Sequence, residues 1–312
     1  MGHKIGVVGT VIKDTIHPAS GEAVNALGGV LYTILPLRAF LPEEWEIVPI
    51  LRVGSDLFDE IHRIFDGLPN VSTENVIRDR RENNRVDLYY HDAEHRTEVA
   101  TGAVSPLLPR DVKGLDTIDL LLLNFISGWE FSLQTMKQVS GSFTGKVFAD
   151  IHSLMLGRAN DGKRYRRKPY GLKKWLEHFN YVQMNLGEAR TLTGLDLDRS
   201  AGDFEGALSR ASAAVQRLGP GLVAITLGEK GAFLSEVNRI GSVASELRGG
   251  HRIDSPIDPT GSGDVFLAAF TSTVVLGGDP GEALSFAVRS SALSTTVQGA
   301  EKLYGFFKGQ SP

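Results

Sequence analysis

The stretch Asp258-Pro259-Thr260-Gly261-Ser262-Gly263-Asp264 lies directly before an apolar segment with helical spacing, Val265-Phe266-Leu267-Ala268-Ala269-Phe270. The proline and glycines predict a turn, and the apolar spacing predicts a helix that begins near Gly263. The first turn of a helix offers unpaired backbone N–H groups and the positive end of the helix dipole. The small residues Gly261, Ser262 and Gly263 leave room for an anion at this place, typically a phosphate.

The carboxylate of Asp264 stands beside this predicted anion site. A phosphate would repel it, so its presence points to chemistry, and removal of a proton from a hydroxyl that attacks a phosphoryl group fits. An acidic residue in the first turn of a helix is also common for stability alone. On these residues alone, both interpretations of Asp264 stay open.

Composition and charge exclude several classes of protein. The chain has 312 residues, no cysteine and a formal net charge of −4. The lack of cysteine excludes disulfides, thiolate zinc sites and cysteine nucleophiles, and the acidic balance argues against a dedicated nucleic-acid binder. No apolar run approaches the roughly 20 residues of a membrane span, and no signal peptide is recognisable. We therefore expect a cytoplasmic protein that binds neither nucleic acid nor membrane.

Apolar strands alternate with amphipathic helices along the chain. This alternation predicts one domain over residues 1–312, an α/β fold with a doubly wound, mostly parallel sheet flanked by helices. The predicted strands cover residues 5–9, 46–53, 120–125, 147–150, 181–185 and 222–226, and the predicted helices cover residues 27–40, 56–65 and 204–218.

One region departs from this alternation. Residues 85–91 alternate polar and apolar side chains, a turn is predicted at residues 92–94, and residues 96–100 continue in an extended style. This pattern is typical of a β-hairpin with one polar face rather than of a strand–helix unit.

A second extended segment, residues 11–18, also lies outside the main pattern. Together with residues 84–102 it predicts a small β-sheet lid that covers a site and excludes water; a plain surface hairpin is the alternative. We expect Leu88 and Tyr90 to be exposed on this lid, which would permit a homodimer through it. The basic residues 163–168 are interpreted as a solvated loop, with a phosphate-facing loop or a subunit contact as alternatives.

Polar or glycine residues follow many of the predicted strands. In open α/β sheets ligands bind beyond the carboxyl ends of the strands, so such residues are expected to converge there. The residues with this placement are Asp14, Gly28, Gly29, Asp150, Asn185 and the turn from Thr226 to Gly231. Their number favours a binding site over a purely structural explanation.

The stretch Asp258 to Asp264 with its alanine-rich helix resembles the C-terminal signature of the PfkB (ribokinase-like) family of carbohydrate and nucleoside kinases, and residues 53–60 are similar to another segment of that family. The resemblance spans most of the chain. It implies a ribokinase-like fold with a lid, and transfer of the γ-phosphoryl group of ATP to a hydroxyl of a small sugar, polyol or nucleoside. Asp264 would be the general base and residues 261–263 the anion hole, with Mg²⁺ and, in many relatives, K⁺ as cofactors.

The resemblance also assigns the acceptor side. Asp14 matches the acidic residue that binds substrate hydroxyls, and Gly28 and Gly29 match the pair whose backbone lies close to the sugar; a turn residue and a flexible helix entry are the alternatives. Sugar kinases such as ribokinase usually carry an asparagine shortly after this pair. Residues 30–34 read Val-Leu-Tyr-Thr-Ile instead. A nucleoside, an inositol-like polyol or a modified sugar is therefore favoured over ribose or fructose.

Two further motifs concern the donor. Asn185 and Glu188 match the Asn-x-x-Glu motif that organises Mg²⁺ and phosphate in relatives, which assigns Asn185 to the cofactor and Glu188 to the metal; a helix cap is the alternative. Thr226, Gly228 and Gly231 match a Thr-Leu-Gly-x-x-Gly turn that touches the nucleotide, and a strand–turn–strand hairpin is the alternative.

Two other functions remain open on the sequence. A non-catalytic sugar or nucleotide sensor with a kinase fold is one, although the complete run from Gly261 to Asp264 argues against it. A nucleotide-dependent oxidoreductase is the other, because Gly6-Val7-Val8-Gly9 is similar to part of a dinucleotide-binding turn, but Gly-x-Gly-x-x-Gly is absent. His152 is interpreted as a structural or surface group, and Asp150 is left without a primary role.

Overall fold

The structure is a computed structural model that describes residues 2–17, 21–90, 96–102, 104–198, 202–238, 241 and 243–312. Nothing is said of the other residues, so Pro18 of the predicted lid and the turn predicted at residues 92–94 lie outside the described part. No helix among the described residues is long and apolar enough to span a membrane.

The strands and helices alternate over most of the chain, as predicted. The strands are β1 (His3–Val8), β2 (Val11–His17), β3 (Val24–Gly29), β4 (Trp45–Val53), β5 (Val76–Arg78), β6 (Arg85–Tyr90), β7 (Arg96–Thr101), β8 (Leu120–Asn124), β9 (Lys146–Asp150), β10 (Leu156–Arg158), β11 (Arg164–Arg166), β12 (Tyr181–Asn185), β13 (Leu222–Thr226), β14 (Ala232–Val237) and β15 (Val243–Arg248). The helices are α1 (Leu31–Phe40), α2 (Phe58–Asp66), α3 (Leu133–Ser142), α4 (Leu172–Leu176), α5 (Leu186–Thr193), α6 (Phe204–Gln216), α7 (Ser262–Val275), α8 (Pro280–Ser294) and α9 (Leu303–Phe307).

The main sheet has nine described strands in the order β15-β14-β13-β12-β9-β8-β1-β4-β5. The strands from β13 to β5 in this order pair in parallel, and β14 and β15 are added antiparallel at one edge. Parallel strands need crossover connections, and the intervening helices supply them. The predicted doubly wound, mostly parallel sheet is confirmed.

Both faces of the main sheet are covered by apolar side chains. Ile5 and Leu122 belong to the core shared with α1, α2, α7, α8 and α9, whereas Val8 and Leu123 belong to the core shared with α3, α4, α5 and α6. Successive side chains of a strand point to opposite faces, so a strand buried on both sides is apolar throughout. This explains the continuous leucine run of residues 120–123.

A second, four-stranded sheet forms the predicted lid in the order β3-β2-β6-β7. The prediction of a helix over residues 27–40 is wrong at its beginning, because Val24–Gly29 is a lid strand and α1 begins at Leu31. Gly29 has a φ of 67°, a left-handed conformation that separates strand from helix and suits glycine. The apolar run concealed this boundary from the sequence pattern.

The underside of the lid is a small apolar cluster. Leu88 is only 5% exposed and packs with Ile12, Val86 and Ala100, against Ile126 and Trp129 of the main domain. The expectation that Leu88 is exposed is therefore wrong, and the physical reason is that this face of β6 points inward. The side chain of Tyr90 lies outside the described part of the chain.

A short antiparallel hairpin, β10–β11, connects the main domain with the lid. The N–H of Ala100 in β7 donates to the carbonyl of Gly162 at 2.9 Å, and Val99 bridges to Lys163. The predicted solvated loop at residues 163–168 thus contains a strand, β11, whose neighbour is the lid.

Candidate active site

A cavity of about 340 Å³ opens beyond the carboxyl ends of the parallel strands, between the main sheet and the lid. Ten of the residues singled out from the sequence line it: Asp14, Gly29, Asn185, Glu188, Thr226, Gly228, Gly261, Ser262, Gly263 and Asp264. The convergence expected from the topology of an open α/β sheet is therefore present, although the segments lie up to 250 residues apart.

The first turn of α7 forms one wall of the cavity. Gly261 is the N-cap residue with a φ of 75°, and the helix begins at Ser262, one residue before the predicted start. The N–H of Ser262 donates to the carbonyl of Pro259 at 3.2 Å. At Gly263 an added Cβ would meet nothing nearer than Gln183 Nε2 at 3.8 Å, so this backbone is open to the cavity. The turn has the geometry of an anion site.

Gly261 is required for a second reason. A Cβ at this position would lie 2.1 Å from the ring of Tyr32. Tyr32 is the aromatic residue that follows the Gly28-Gly29 pair, and it is 4% exposed and lines the cavity. The tyrosine ring therefore packs directly against the turn that carries the anion site.

Asp264 is the third residue of α7 and faces the cavity. Its Oδ1 accepts a hydrogen bond of 2.6 Å from Nδ2 of Asn124, the last residue of β8. Burial raises the pKa of Asp264 to about 6, and the hydrogen bond from Asn124 opposes this rise. A carboxylate with a pKa near neutrality can accept a proton and remain mostly ionised at pH 7.

Three more ionisable side chains lie close to Asp264. Burial, then the charges of Glu188 and Asp264, raise the pKa of Asp150 to about 8. Burial would lower the pKa of His152, but Glu188 raises it above its usual range through a 2.6 Å hydrogen bond. Burial opposes ionisation of Glu188, yet His152 holds its pKa below the usual range. Asp150, left without a primary role by the sequence, thus lies in the cavity, and so does His152, which was interpreted as a structural or surface group.

Gln183, in the middle of β12, links this cluster to α7. Its Nε2 donates to Oδ2 of Asp150 at 2.6 Å and to the carbonyl of Gly263 at 2.8 Å. The amide is 1% exposed. Its position fixes the Asp150 carboxylate relative to the predicted anion site.

Asn185 and Glu188 form a complete capping box at the start of α5. Oδ1 of Asn185 accepts from the N–H of Glu188 at 3.0 Å, and the N–H of Asn185 donates to Oε2 of Glu188 at 2.7 Å. The helix-cap interpretation is confirmed. Within the described residues no three histidine or acidic side chains form a group that could hold a metal ion.

The predicted glycines have different roles. A Cβ on Gly28 would lie 2.3 Å from Oδ2 of Asp14, so this glycine makes room for the buried Asp14 carboxylate and does not itself line the cavity. Gly231 has a φ of 94° and a Cβ there would meet the carbonyl of Arg248 at 2.0 Å. Gly231 belongs to the turn before β14 and also lies away from the cavity lining.

Arg164 of β11 reaches into the cavity from the basic segment. Its side chain is 7% exposed and lies 3.9 Å from Glu98 of β7. It donates to the carbonyls of Ile126 and Ser127 at 3.2 and 3.0 Å. For Arg164 the interpretation as part of a solvated loop is wrong, whereas Lys163, with 62% exposure of its side chain, fits it.

The sequence reasoning missed Asn124, Gln183 and Glu98 as cavity residues. A signal existed for Asn124, because it directly follows an apolar strand as Asn185 does. Gln183 is a polar residue inside an otherwise apolar strand, which is unusual for a buried parallel strand. Glu98 carries no comparable signal, since its alternation in β7 is that of any half-exposed strand.

Comparison with known proteins agrees with the fold and the motifs. Residues 158–303 match the family described as pfkB family carbohydrate kinase. No curated protein matches the chain. The predicted resemblance to the PfkB (ribokinase-like) kinases is confirmed by this match together with the fold.

Solved structures of ribokinase-family kinases have the same fold over nearly the whole chain. A pyrophosphate-dependent kinase in the ribokinase family, complexed with a pyrophosphate analogue and myo-inositol, is 17% identical with a TM-score of 0.72 and coverage of 98% of this chain and 100% of that one. Ribokinase of Arabidopsis thaliana, complexed with ribose and ATP, is 19% identical with a TM-score of 0.70 and 99% coverage of both chains. A nucleoside kinase of Burkholderia thailandensis, in complex with inosine, is 18% identical with a TM-score of 0.69 and coverage of 96% and 93%.

Proposed function

From the confirmed PfkB resemblance and the ribokinase-like fold, we propose that this chain is an ATP-dependent kinase that phosphorylates a hydroxyl group of a small sugar, polyol or nucleoside. The observation that carries the proposal is the position of Asp264. Its carboxylate lies in the first turn of α7, beside the open backbone of Gly263, and at the end of a cavity that reaches the lid. A general base and an anion site are thereby adjacent, as phosphoryl transfer requires.

In the proposed reaction Asp264 takes the proton of the acceptor hydroxyl while that oxygen attacks the γ-phosphorus of ATP. The backbone N–H groups of Gly261, Ser262 and Gly263 stabilise the charge on the phosphoryl oxygens. The N–H of Ser262 already donates to Pro259 at 3.2 Å, so Gly261 and Gly263 have the larger share in the present geometry. The bond to the leaving ADP breaks in line with the new bond.

The acceptor is proposed to lie under the lid. Asp14 supplies a carboxylate that can accept two hydroxyl hydrogen bonds, and Gly29 lies beside it. The apolar side chains of Ile12, Val86 and Leu88 cover the opposite side. The fold relatives were solved with ribose, myo-inositol or inosine. The lack of the usual asparagine in residues 30–34 and the presence of Tyr32 keep the preference for a polyol, a modified sugar or a nucleoside.

The donor is proposed to extend from α7 towards Asn185, Thr226 and Gly228, all of which line the cavity. The carboxylates of Asp150 and Glu188 suit Mg²⁺, which prefers oxygen ligands and keeps most of its waters. Mg²⁺ bound there would neutralise charge on the phosphates. K⁺ is a further expectation of the resemblance, and comparing activity in K⁺ and Na⁺ salts tests it.

The decisive experiment combines an acceptor screen with one substitution. Sugars, polyols and nucleosides are tested for phosphorylation with ATP–Mg²⁺, and with pyrophosphate as a second donor. Asp264→Asn should lower kcat by about a thousandfold or more, because it removes the base, and should leave the Kd for the acceptor, measured by calorimetry, within about threefold.

A variant with normal turnover would show that Asp264 is not the base. Binding of ATP and a sugar without any phosphorylation would favour the sensor, and binding of NAD in place of ATP would favour the oxidoreductase. Fractionation of cells expressing the protein tests the expected cytoplasmic location.

A further inference from the structure

Asn124 belongs to none of the motifs that identify the chain, yet its side chain is hydrogen-bonded to Asp264. It is the last residue of β8 and is 1% exposed. Its Nδ2 donates two hydrogen bonds of 2.6 Å, one to Oδ1 of Asp264 and the other to Oγ1 of Thr33 in α1. The amide therefore joins the base to a helix on the acceptor side of the cavity.

The orientation of this amide follows from its neighbours. The NH₂ group must face Asp264, because the carbonyl oxygen would be repelled by an ionised carboxylate. The carbonyl oxygen, Oδ1, is then buried without a hydrogen-bond partner among the described residues. Burying an unpaired carbonyl costs free energy, so a side chain with a purely structural role would be expected to avoid it. We infer that the free energy gained from the hydrogen bond to Asp264 exceeds the cost of burying the unpaired oxygen.

We propose that Asn124 is a positioning residue for Asp264: its amide, anchored by Thr33, holds Oδ1 of the carboxylate and leaves Oδ2 to receive the proton of the acceptor hydroxyl. The inference rests on the proposed function of Asp264. The proton moves from the acceptor oxygen to Oδ2, the new O–P bond forms, and the bond to the leaving phosphate breaks, so no further reactant is needed.

The charge balance in the cavity supports this role. Burial disfavours the ionised form of Asp264, and a charge on Asp150 would repel it. The hydrogen bond from Asn124 favours the ionised form of Asp264, and His152 acts in the same direction from farther away. Loss of the amide should therefore keep the base protonated to a higher pH.

The test uses Asn124→Leu, which keeps the branched shape of the side chain and removes the donor, and Thr33→Val, which removes the anchor. The acid limb of the pH profile of kcat/KM should move upwards by about one unit in Asn124→Leu, the effect of one hydrogen bond to a charged group. It should move in the same direction, by less, in Thr33→Val. At pH 7 kcat should fall about 10- to 100-fold in Asn124→Leu, with KM of the acceptor within about threefold.

A second measurement needs no substrate. The ¹³C-carboxyl resonance of Asp264, identified by its absence in Asp264→Asn, is titrated in both variants and should show the same upward shift. The matched control is Ser212→Ala. Ser212 in α6 is 0% exposed and also carries a buried oxygen without a partner, but it lies outside the cavity lining. Removal of the Ser212 hydroxyl should leave the pH profile of kcat/KM and the titration of Asp264 unchanged.

The outcomes separate this inference from the proposed function. If Asp264→Asn keeps full activity, or if no hydroxyl compound is phosphorylated, the proposed function fails. If Asp264→Asn is inactive while Asn124→Leu titrates like the wild type, only the role of Asn124 is overturned. Should Asn124→Leu not fold, the titration of Thr33→Val decides: an upward shift supports the role and an unchanged midpoint overturns it.

Discussion

At the scale of single residues, the cavity brings three carboxylates, Asp150, Glu188 and Asp264, close to the proposed anion site. Burial raises the pKa of Asp264 to about 6, and burial together with the charges of Glu188 and Asp264 raises that of Asp150 to about 8. The hydrogen bond between His152 and Glu188 offsets one of the negative charges. Such an arrangement destabilises the folded chain locally and is typical of sites kept for chemistry.

The first prediction concerns stability. The folded chain binds the proton of Asp264 more tightly than the unfolded chain does, so the free energy of unfolding falls as pH rises from about 4 to 6 and stays lower above that range. Asp264→Asn should therefore raise the free energy of unfolding at pH 8 by about 1–3 kcal/mol, reduced from the full effect because the side chain is partly exposed. Urea denaturation at pH 8 and pH 4 checks this, and an equal gain at both values would contradict it.

The second prediction concerns Gly261. Gly261→Ala forces a φ of 75° on alanine and drives its Cβ into the ring of Tyr32, which should cost about 1–3 kcal/mol and abolish most activity. Gly263→Ala meets only an ordinary contact at 3.8 Å from Gln183. We expect its stability to stay within about 1 kcal/mol of the wild type. Thermal unfolding of both variants is the measurement, and equal losses would argue against the packing explanation.

At the scale of elements, the hairpin β10–β11 determines how the lid meets the main domain. Its backbone pairs with β7 at Ala100, and Arg164 joins Glu98 of the lid to the carbonyls of Ile126 and Ser127. The lid is thus held to the main domain by the hairpin as well as by the contacts of its own four strands.

The third prediction follows from this link. Arg164→Met should raise KM of the acceptor about tenfold, the effect of one lost ion pair or hydrogen bond, because the link between Glu98 of the lid and the carbonyls of Ile126 and Ser127 is lost and the lid closes less well over the site. The effect on kcat should be smaller. Lys163→Ala is the matched control, because the side chain of Lys163 is next to Arg164 in sequence but is mostly exposed. Steady-state kinetics would count against the link if both variants raised KM equally.

The elements also show which predictions the sequence supports. The bounds of the long apolar strands and the beginning of α7 were predicted to within about two residues. Buried elements of this length have a clear apolar pattern. Strand β3 was missed since its apolar residues run on into those of α1. Strands β10 and β11 have three residues each, too few for any periodicity, and are fixed by their contact with β7.

At the scale of the whole molecule, two apolar cores hold the sheet between its helices. Phe270 of α7 lies in one of them, fully buried, with its ring stacked on Tyr181 at 4.6 Å. Because α7 also carries Gly263 and Asp264, the packing of this helix sets the position of the site relative to the sheet. The position of the site therefore depends on the packing of this core.

The fourth prediction tests that packing. Phe270→Ala should lower the free energy of unfolding by about 3–5 kcal/mol, because it leaves a cavity between α7 and β12. Phe306→Ala in α9 removes a ring that is 37% exposed and should cost about 1 kcal/mol or less. Chemical denaturation of the two variants decides, and similar losses would show that α7 is not anchored by this contact.

The motif residues of the candidate site could be predicted from the sequence, but the residues that connect them could not. Topology alone places the ends of parallel strands together, which is why Asn185 and Thr226 were found. Asp14, in lid strand β2, and Asp264, in the first turn of α7, were found through their motifs. Asn124 and Gln183 act through side-chain hydrogen bonds between distant segments, and no local pattern encodes such pairs.

The contact between Ala100 and Gly162 also affects how copies of this chain can associate. An open edge strand is a template on which another chain can add a strand, with aggregation as the risk. Here the chain's own hairpin occupies that position beside β7. A homodimer through the lid would then use the β3 edge or the outer face of the sheet. At the β7 edge, the hairpin protects the lid from the addition of a strand from another chain.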